Sequence, residues 1–381
     1  MRPLLLSIAL LACATPLSAQ SASLVYTLGK DTVAIEQWTR SATSVDGEMV
    51  QRNGAAVARI RYRLALGRDG RPTGGELARM QADGTPFPGA AKLTRFTFTA
   101  DSAVREVVFA DSTQRRAFAT RQATMNLPTF IYGPFEALAA LRRRGATVDS
   151  VPALGTGGNV TAIGLQALGG DTVRLRGAVP YQMLLRLDAR DRLLSVDGSF
   201  TTNKVLATRG EGGLDIAAIA RAMRPTGVLS VRETVRAAFG PGGMVLLDYG
   251  RPHVRERSVW GGTLVPLDSI WRAGANDATH LFTTRTLTLG GMTLAPGMYT
   301  LWVQHTRAGT FLIVNRQTGQ WGTQYDPAQD VGRVELAMGA TPAHVEELTI
   351  TLRALGPVRG AIDLAWADRM GTVQFGVSAP R

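Results

Sequence analysis

Alternation of polar and apolar residues constrains the fold of this chain more than any other sequence feature. Residues 59–64 read Arg-Ile-Arg-Tyr-Arg-Leu, and residues 93–98 and 172–176 repeat the pattern. Because neighbouring side chains of a strand point to opposite faces, these runs predict strands with one buried and one solvated face. Turn signals separate the runs, at Asp46-Gly47, Asn53-Gly54, Asp69-Gly70, Gly169-Gly170-Asp171 and Asp197-Gly198. The sequence therefore predicts a meander of antiparallel hairpins from about residue 24 to residue 209.

Two short helices are predicted to interrupt the strands. Residues 133–145 carry Pro134 at the start and Gly145 past the end, which is the asymmetry expected of a helix. A second helix is predicted near residues 214–223 and stops before Pro225. We therefore predict an antiparallel β-rich domain over residues 20–226 and a second domain over residues 227–381.

The second domain differs in composition from the first. It contains five of the six tryptophans, Trp260, Trp271, Trp302, Trp321 and Trp366. Its short β-like runs lie at residues 244–249, 286–289, 299–303, 311–314, 345–352, 362–366 and 373–377. Seven or eight such strands predict a β-sandwich or jelly-roll-like domain, and the whole chain is expected to be mainly β.

The first residues resemble an export signal. A charged start is followed by an apolar run over residues 4–12 that is too short to span a bilayer, and small residues lead to Ala19. We expect a signal peptide over residues 1–19 and a periplasmic or secreted protein. The alternative is a lipid anchor on Cys13, which follows Leu10-Leu11-Ala12. No later run of 18 apolar residues occurs, so no transmembrane segment is expected after cleavage.

Composition excludes several classes of function. Cys13 is the single cysteine, so after signal cleavage neither a disulfide nor a thiol nucleophile is expected. The formal charge is +12, but only three basic residues are lysines and the arginines are spread along the chain. This distribution argues against nucleic-acid binding. The one dense run of arginines, at residues 142–144, ends the first predicted helix, where cations complement the helix dipole. The alternative is that the basic surface binds an anionic partner in the envelope.

Residues 249–279 combine two tryptophans, four arginines and several glycines, which is typical of a specified loop surface. With their flanks they resemble the bacterial family called domain of unknown function 2911, from about residue 228 to residue 377. The matching segments are residues 248–252, 260–266, 271–279 and 294–299, Asn315, Trp321-Gly322, Tyr325-Asp326, Asp330-Val331 and Arg333. The chain departs from the family at Arg255-Glu256-Arg257, where a Gly-Arg pair is usual, and at Ala273. The resemblance implies no activity, and the N-terminal half lies outside it.

The same stretch provides a candidate ligand-binding surface. Arginines beside aromatic rings can hold a carboxylate or phosphate in two-point contacts and stack a ring. The candidate residues are Tyr249, Arg251, Arg257, Trp260, Trp271, Arg272, Asn276 and Asp277. The opposing interpretation is that these side chains brace long loops through ion pairs, and that Asn276 and Asp277 cap their own turn.

Catalytic signals are weaker. The four histidines lack the spacing of a metal site, and a GxSxG elbow is absent. His253, Asp277 and His280 are the remaining catalytic candidates. We therefore expect an envelope protein without cofactor or metal that binds an anionic or glycan-like ligand or another envelope protein. A hydrolase using His253, Asp277 and His280, and a purely structural partner of an outer-membrane assembly, are the alternatives.

Overall fold

The computed structural model describes residues 20–52, 54–128, 131–177, 182–199, 201, 204–227 and 229–379. The expected signal peptide, its cleavage site after Ala19 and Cys13 lie outside the described residues, as does Asn53. Among the described residues, none of the helices combines the length and the apolar character needed to cross a membrane.

Within the described residues, fifteen strands form one antiparallel sheet in the N-terminal half. In chain order these strands are β1 (Gln20–Leu28), β2 (Asp31–Arg40), β3 (Ser44–Arg52), β4 (Val57–Leu66), β5 (Pro72–Gln81), β6 (Leu93–Phe98), β7 (Ser102–Val108), β8 (Thr113–Ala119), β9 (Thr124–Asn126), β10 (Val151–Gly155), β11 (Val160–Gly169), β12 (Thr172–Arg176), β13 (Gln182–Leu187), β14 (Leu193–Asp197) and β15 (Leu206–Glu211). Their spatial order runs from β8 back to β1, crosses to β15, and runs back to β9. Neighbours pair antiparallel except β9 and β10, which are parallel. The predicted meander is confirmed.

The alternation in the sequence corresponds to the two faces of this sheet. In β4, Ile60, Tyr62 and Leu64 are buried, whereas Arg61 and Arg63 between them are exposed. Every second side chain therefore enters the core, as a half-buried strand requires.

The sheet curves around helix α1 (Phe135–Arg143). Leu138 and Leu141 of α1 belong to the same buried core as Leu24 of β1 and Leu165 of β11. Strand β9 contacts β5, which lies far from it in the strand order. A Cβ at Gly75 of β5 would lie only 2.1 Å from the Met125 sulfur of β9, so this glycine allows the close approach that curves the sheet.

Helix α2 (Ile216–Ala222) packs on a separate cluster of the same domain. Asp215 caps it by accepting a hydrogen bond of 2.9 Å from the backbone N–H of Ala218. Ile216 and Ala220 bury against Val50 and Val57. The chain then enters the second sheet system at Ser230.

The C-terminal half is a two-sheet sandwich. Its strands are β16 (Ser230–Ala238), β17 (Met244–Pro252), β18 (Ile270–Trp271), β19 (Thr279–Thr283), β20 (Leu287–Leu289), β21 (Met292–Leu294), β22 (Gly297–His305), β23 (Thr310–Asn315), β24 (Asp330–Glu335), β25 (Ala337–Gly356) and β26 (Arg359–Val377), with a 3-10 turn at Pro327–Gln329. In the described part, one sheet has the order β16-β17-β19-β22-β23-β24 with β18 beside β22, and the other has the order β21-β20-β26-β25. Leu247 and Leu301 of the first sheet pack against Leu348 and Leu364 of the second.

One strand differs from the sequence-based prediction. Residues 362–366 and 373–377 are predicted as two strands, but both lie in β26. Ala367 has a φ of +53° in the middle of this strand, and Asp368 and Arg369 after it are exposed. This bend interrupts the alternation, which is why the pattern indicates two elements where the structure has one.

Two buried carboxylates hold α1 in place. Glu36 accepts hydrogen bonds from the hydroxyls of Tyr26 and Tyr62, both 2.6 Å, and from the backbone N–H groups of Tyr132 and Gly133, 3.0 and 2.9 Å. Burial raises the pKa of Glu36, and these four donors oppose the rise by stabilising the carboxylate.

Glu136, in the first turn of α1, makes the matching contacts to the sheet. It accepts from the backbone N–H of Leu193 at 2.7 Å, from Arg209 at 3.0 Å and from the Trp38 indole at 3.3 Å. Together the two carboxylates attach the start of α1 to β2, β4, β14 and β15.

We predict that Glu36→Ala lowers the free energy of unfolding of the first domain by about 3 kcal/mol or more, because it leaves four buried donors without their acceptor. Tyr62→Phe should cost about 2 kcal/mol, since it removes one of these donors. The exposed Glu211→Ala is the control and should change stability by less than about 0.5 kcal/mol. Denaturant unfolding measures all three, and equal small losses would contradict the anchoring role of Glu36.

Candidate functional site

The loop after β17 is strained at several positions. Arg255 and Glu256 have φ values of +49° and +59°, and Ala273 and Asn276 have +49° and +62°. This left-handed backbone favours glycine, and bulky residues held in it are found most often at functional sites. Arg255 and Glu256 thus hold a backbone conformation that glycine adopts more readily.

The strained loop contacts the first domain. Arg255 forms an ion pair with Asp31, and Glu256 lies 2.5 Å from the Lys30 ammonium. A Cβ on Gly29, in the turn between β1 and β2, would lie 2.1 Å from the Arg255 carbonyl oxygen. The close backbone approach is therefore made possible by a glycine of the other domain.

A cavity of about 230 Å³ lies at this contact. We call it the junction cavity. The first domain lines it with Leu28, Val33, Arg52, Gly54, Lys204 and Val205, and the second with residues that include His253, Arg255, Arg257, Leu264, Trp271, Arg272, Asn276 and Trp366. Of the eight predicted ligand-binding residues, Arg257, Trp271, Arg272 and Asn276 line the junction cavity.

Tryptophans form its apolar wall. Trp271 stacks on Trp366 with ring centroids 5.3 Å apart, and Trp260 meets Trp271 edge-on at 6.3 Å. The indole N–H of Trp271 donates to the Gly274 carbonyl at 3.0 Å, and that of Trp260 to the Trp366 carbonyl at 3.1 Å. Among the described residues, the buried indole N–H of Trp366 has no hydrogen-bond acceptor.

Lys204 is a partly buried cation of the junction cavity. Its ammonium donates to the carbonyl oxygens of Ser199, at 2.8 Å, and Thr263, at 3.1 Å, and so joins the two domains. Burial, together with the nearby charges of Arg272 and Arg257, lowers the pKa of Lys204 to about 8.

Arg257 is the second cation of the junction cavity. It donates to the carbonyl oxygens of Val254 and His253, at 2.9 and 2.7 Å. Burial, followed by the charge of Arg255, lowers its pKa to about 10. In the described part of the chain, neither Arg257 nor Lys204 nor Arg52 has a carboxylate within ion-pair distance; Asp197 and Glu346 act on them only at longer range.

Arg272 is held in the wall by its packing against Gly322. Its side chain is 7% exposed, and a Cβ on Gly322 would lie 1.8 Å from the Arg272 Cδ. The N–H of Gly322 donates to the Asn276 carbonyl at 3.0 Å. Gly322 therefore leaves the space that the Arg272 side chain fills.

Four of the predicted ligand-binding residues lie elsewhere. Tyr249 is fully buried in the sandwich, where its hydroxyl donates to Glu233 at 2.9 Å and burial raises its pKa to about 12. Arg251 pairs with Glu233 at 3.2 Å and Glu347 at 3.1 Å. Trp260 packs edge-on against Trp271, and the backbone of Asp277 forms an isolated β-bridge with that of Trp321. The bracing interpretation fits Tyr249 and Arg251.

The three catalytic candidates do not share a centre. His253 pairs with Glu347 at 3.5 Å, whereas His280 lies opposite Asp248 in the sheet and accepts from the Gly319 N–H at 3.0 Å. Asp248 and His253 are five residues apart along an extended chain, roughly 16 Å. Asp277 contacts neither histidine through a hydrogen bond in the described part. Within that part, no group of three His, Cys, Asp or Glu side chains could hold a metal ion.

Sequence reasoning missed the residues that the first domain contributes. Lys204 and Arg52 lie outside the family-like segment, and Trp366 lies about 90 residues after the loops. One sequence signal could have pointed to Lys204. The chain has only three lysines, and its other basic residues are arginines, so a lysine at this position is unusual for this chain.

Residues 230–375 match the family model described as Protein of unknown function (DUF2911). The resemblance of the C-terminal half is thereby confirmed, and the family description assigns no activity. The first domain lies outside the match. No curated protein and no solved structure matches the chain.

We predict that substitutions of two arginines in the same loop region change the free energy of unfolding by different amounts. Arg251→Gln should lower the free energy of unfolding by about 1 to 2 kcal/mol, because it leaves two partly buried carboxylates without their cation. Arg257→Gln should cost less than about 0.5 kcal/mol, because a lowered pKa in the folded protein means that folding disfavours the charge that this variant removes. Denaturant unfolding compares them, and equal losses would place Arg257 among the bracing residues.

Proposed function

We propose that this protein is an exported bacterial envelope protein that binds a small anionic ligand in the junction cavity. The observation that carries the proposal is the convergence of Arg52, Lys204 and Arg257 on one cavity without carboxylate partners in the described chain. Burying a cation without an anion is unfavourable, and a bound anion offsets that cost. The cavity is thus electrostatically complementary to a carboxylate, sulfate or phosphate group.

The tryptophan wall supports a second feature of the ligand. Trp271 and Trp366 are stacked on each other and almost fully buried, and they give the cavity an apolar wall beside the cations. Aromatic walls suit flat or ring-shaped ligands. A ring that carries both an acidic group and hydroxyls, such as an acidic sugar, meets these requirements.

The size of the cavity limits the ligand. Its volume of about 230 Å³ is below the range of about 300 to 1,000 Å³ that is usual for drug-sized ligands. We propose a ligand no larger than a single acidic sugar or a molecule of similar size.

Export is proposed from the sequence of residues 1–19, which has a charged start, a short apolar run and small residues before Ala19. An anchor on Cys13 is the alternative form. An anionic envelope ligand fits both forms, since each exposes the two domains on the same side of the membrane.

We predict that glucuronate raises the unfolding temperature of the full chain and binds in calorimetry. Lys204→Gln and Arg257→Gln should each weaken this binding at least about tenfold, because each removes a charge-assisted hydrogen bond in a buried site. Arg236→Gln, which removes an exposed cation of β16, is the matched control and should bind normally. Inorganic phosphate is the second probe. Failure of both probes to bind, or equal weakening by Arg236→Gln, would overturn the proposal.

We predict that glucuronate affinity falls as the pH rises through about 8, the pKa of Lys204 in the folded protein. Below this pKa the ammonium is charged and attracts the anion; above it the amine is neutral. Glucuronate itself keeps its charge over this range, so the change reports the protein. Lys204→Arg should flatten the profile, because arginine stays charged. An unchanged wild-type affinity between pH 7 and pH 9 would remove Lys204 from the site.

A further inference from the structure

A second basic cavity lies in the first domain, beyond the C-terminal end of α1. Its volume is about 360 Å³. Six arginines line it, Arg40, Arg68, Arg143, Arg144, Arg190 and Arg192, and we call it the arginine cavity. It shares no lining residue with the junction cavity.

The six arginines come from four separate parts of the chain. Arg40 ends β2, Arg68 lies in the turn between β4 and β5, Arg143 and Arg144 end α1, and the other two lie in the turn between β13 and β14. A helix dipole explains cations in the last turn of a helix, but it does not explain Arg40, Arg68 or Arg190, which belong to other elements.

Three of the six arginines already have a polar partner, and two of these partners are carboxylates. Arg143 pairs with Asp191 at 2.7 Å and Arg192 with Asp188 at 2.6 Å. Arg144 donates to the Asp69 carbonyl at 3.4 Å. For the other three, Arg40, Arg68 and Arg190, no described carboxylate lies within ion-pair distance. The ion pairs therefore fix the walls, and three cations remain to attract a ligand.

The floor of the cavity is apolar. Leu66 of β4 and Ala137, Ala140 and Leu141 of α1 line it between the arginines. The one acidic side chain in the lining, Glu136, is buried and is engaged by Arg209. The cavity therefore combines a cationic rim with an apolar base.

We infer that the arginine cavity is a second binding site, for a ligand that bears a phosphate monoester or a diphosphate. Guanidinium groups bind phosphate oxygens in pairs, and the three arginines without a polar partner in the described chain match the charge of a doubly or triply ionised phosphate better than that of a single carboxylate. The same chemistry is offered by a soluble diphosphate and by the headgroup of a phosphorylated lipid, whose apolar part would meet Leu66 and Leu141.

Two probes on the full chain separate these sources. Pyrophosphate binding is measured by calorimetry, and binding to vesicles is measured by flotation, with phosphatidylcholine alone or mixed four to one with phosphatidic acid. The test variant is Arg68→Gln/Arg190→Gln, both exposed turn residues whose loss should leave the fold intact. The matched control is Arg115→Gln/Arg121→Gln, which removes two exposed arginines at the far edge of the sheet. Arg257→Gln controls for binding in the junction cavity.

We expect the test variant to weaken binding at least about tenfold, since two charge-assisted contacts are lost, and the Arg115→Gln/Arg121→Gln control to retain it. In Arg257→Gln, the binding that depends on Arg68 and Arg190 should persist even if a separate contribution from the junction cavity is lost. Pyrophosphate binding with this dependence supports a soluble ligand; binding to phosphatidic acid vesicles alone, with the same dependence, supports a lipid headgroup. The inference is overturned if neither probe binds, if the Arg115→Gln/Arg121→Gln control loses as much as the test variant, or if only Arg257→Gln abolishes binding.

Discussion

The hydrogen bonds of the buried Glu136 carboxylate connect the core of the first domain to the junction cavity. Glu136 lies at the start of α1 and binds the N–H of Leu193 in β14 and the side chain of Arg209 in β15. The segment that joins these two strands carries Lys204, whose ammonium reaches Thr263 of the sandwich. One carboxylate therefore fixes the helix, both strands that flank the lysine and, through them, one side of the junction cavity.

Much of the fold could be predicted from local sequence, because strands and helices follow from the order of neighbouring residues. The alternation in β4, and Pro134 and Gly145 around α1, indicate their elements directly. The bend at Ala367 could not be predicted, since a left-handed alanine leaves no pattern except a broken alternation. The pairing of β1 with β15 likewise cannot be predicted from local sequence, because it joins residues about 180 positions apart.

The site was only partly predictable for a related reason. Tyr249 and Arg251 lie two residues apart on β17, both make contacts to β25 and pair with Glu233, so neither reaches the cavity. Arg257 follows in the loop, where the alternation of the strand no longer determines direction. Sequence composition groups these residues together, and only the backbone separates the bracing arginine from the cavity arginine. Arg52 and Lys204 required knowledge of the contact between the domains.

The crossing from β1 to β15 in the middle of the first sheet also has a consequence for how the chain folds. Strands β1 to β8 and β10 to β15 are two meanders of local hairpins, each of which closes short loops and should form rapidly. Until β15 is available, however, β1 has an open edge with unpaired backbone groups, and such edges recruit other strands. A chain that emerges from its N-terminus must therefore keep this edge protected until residue 211 has appeared. Because the chain emerges in this order, the β1–β15 pairing in the middle of the sheet forms after the hairpins on either side of it.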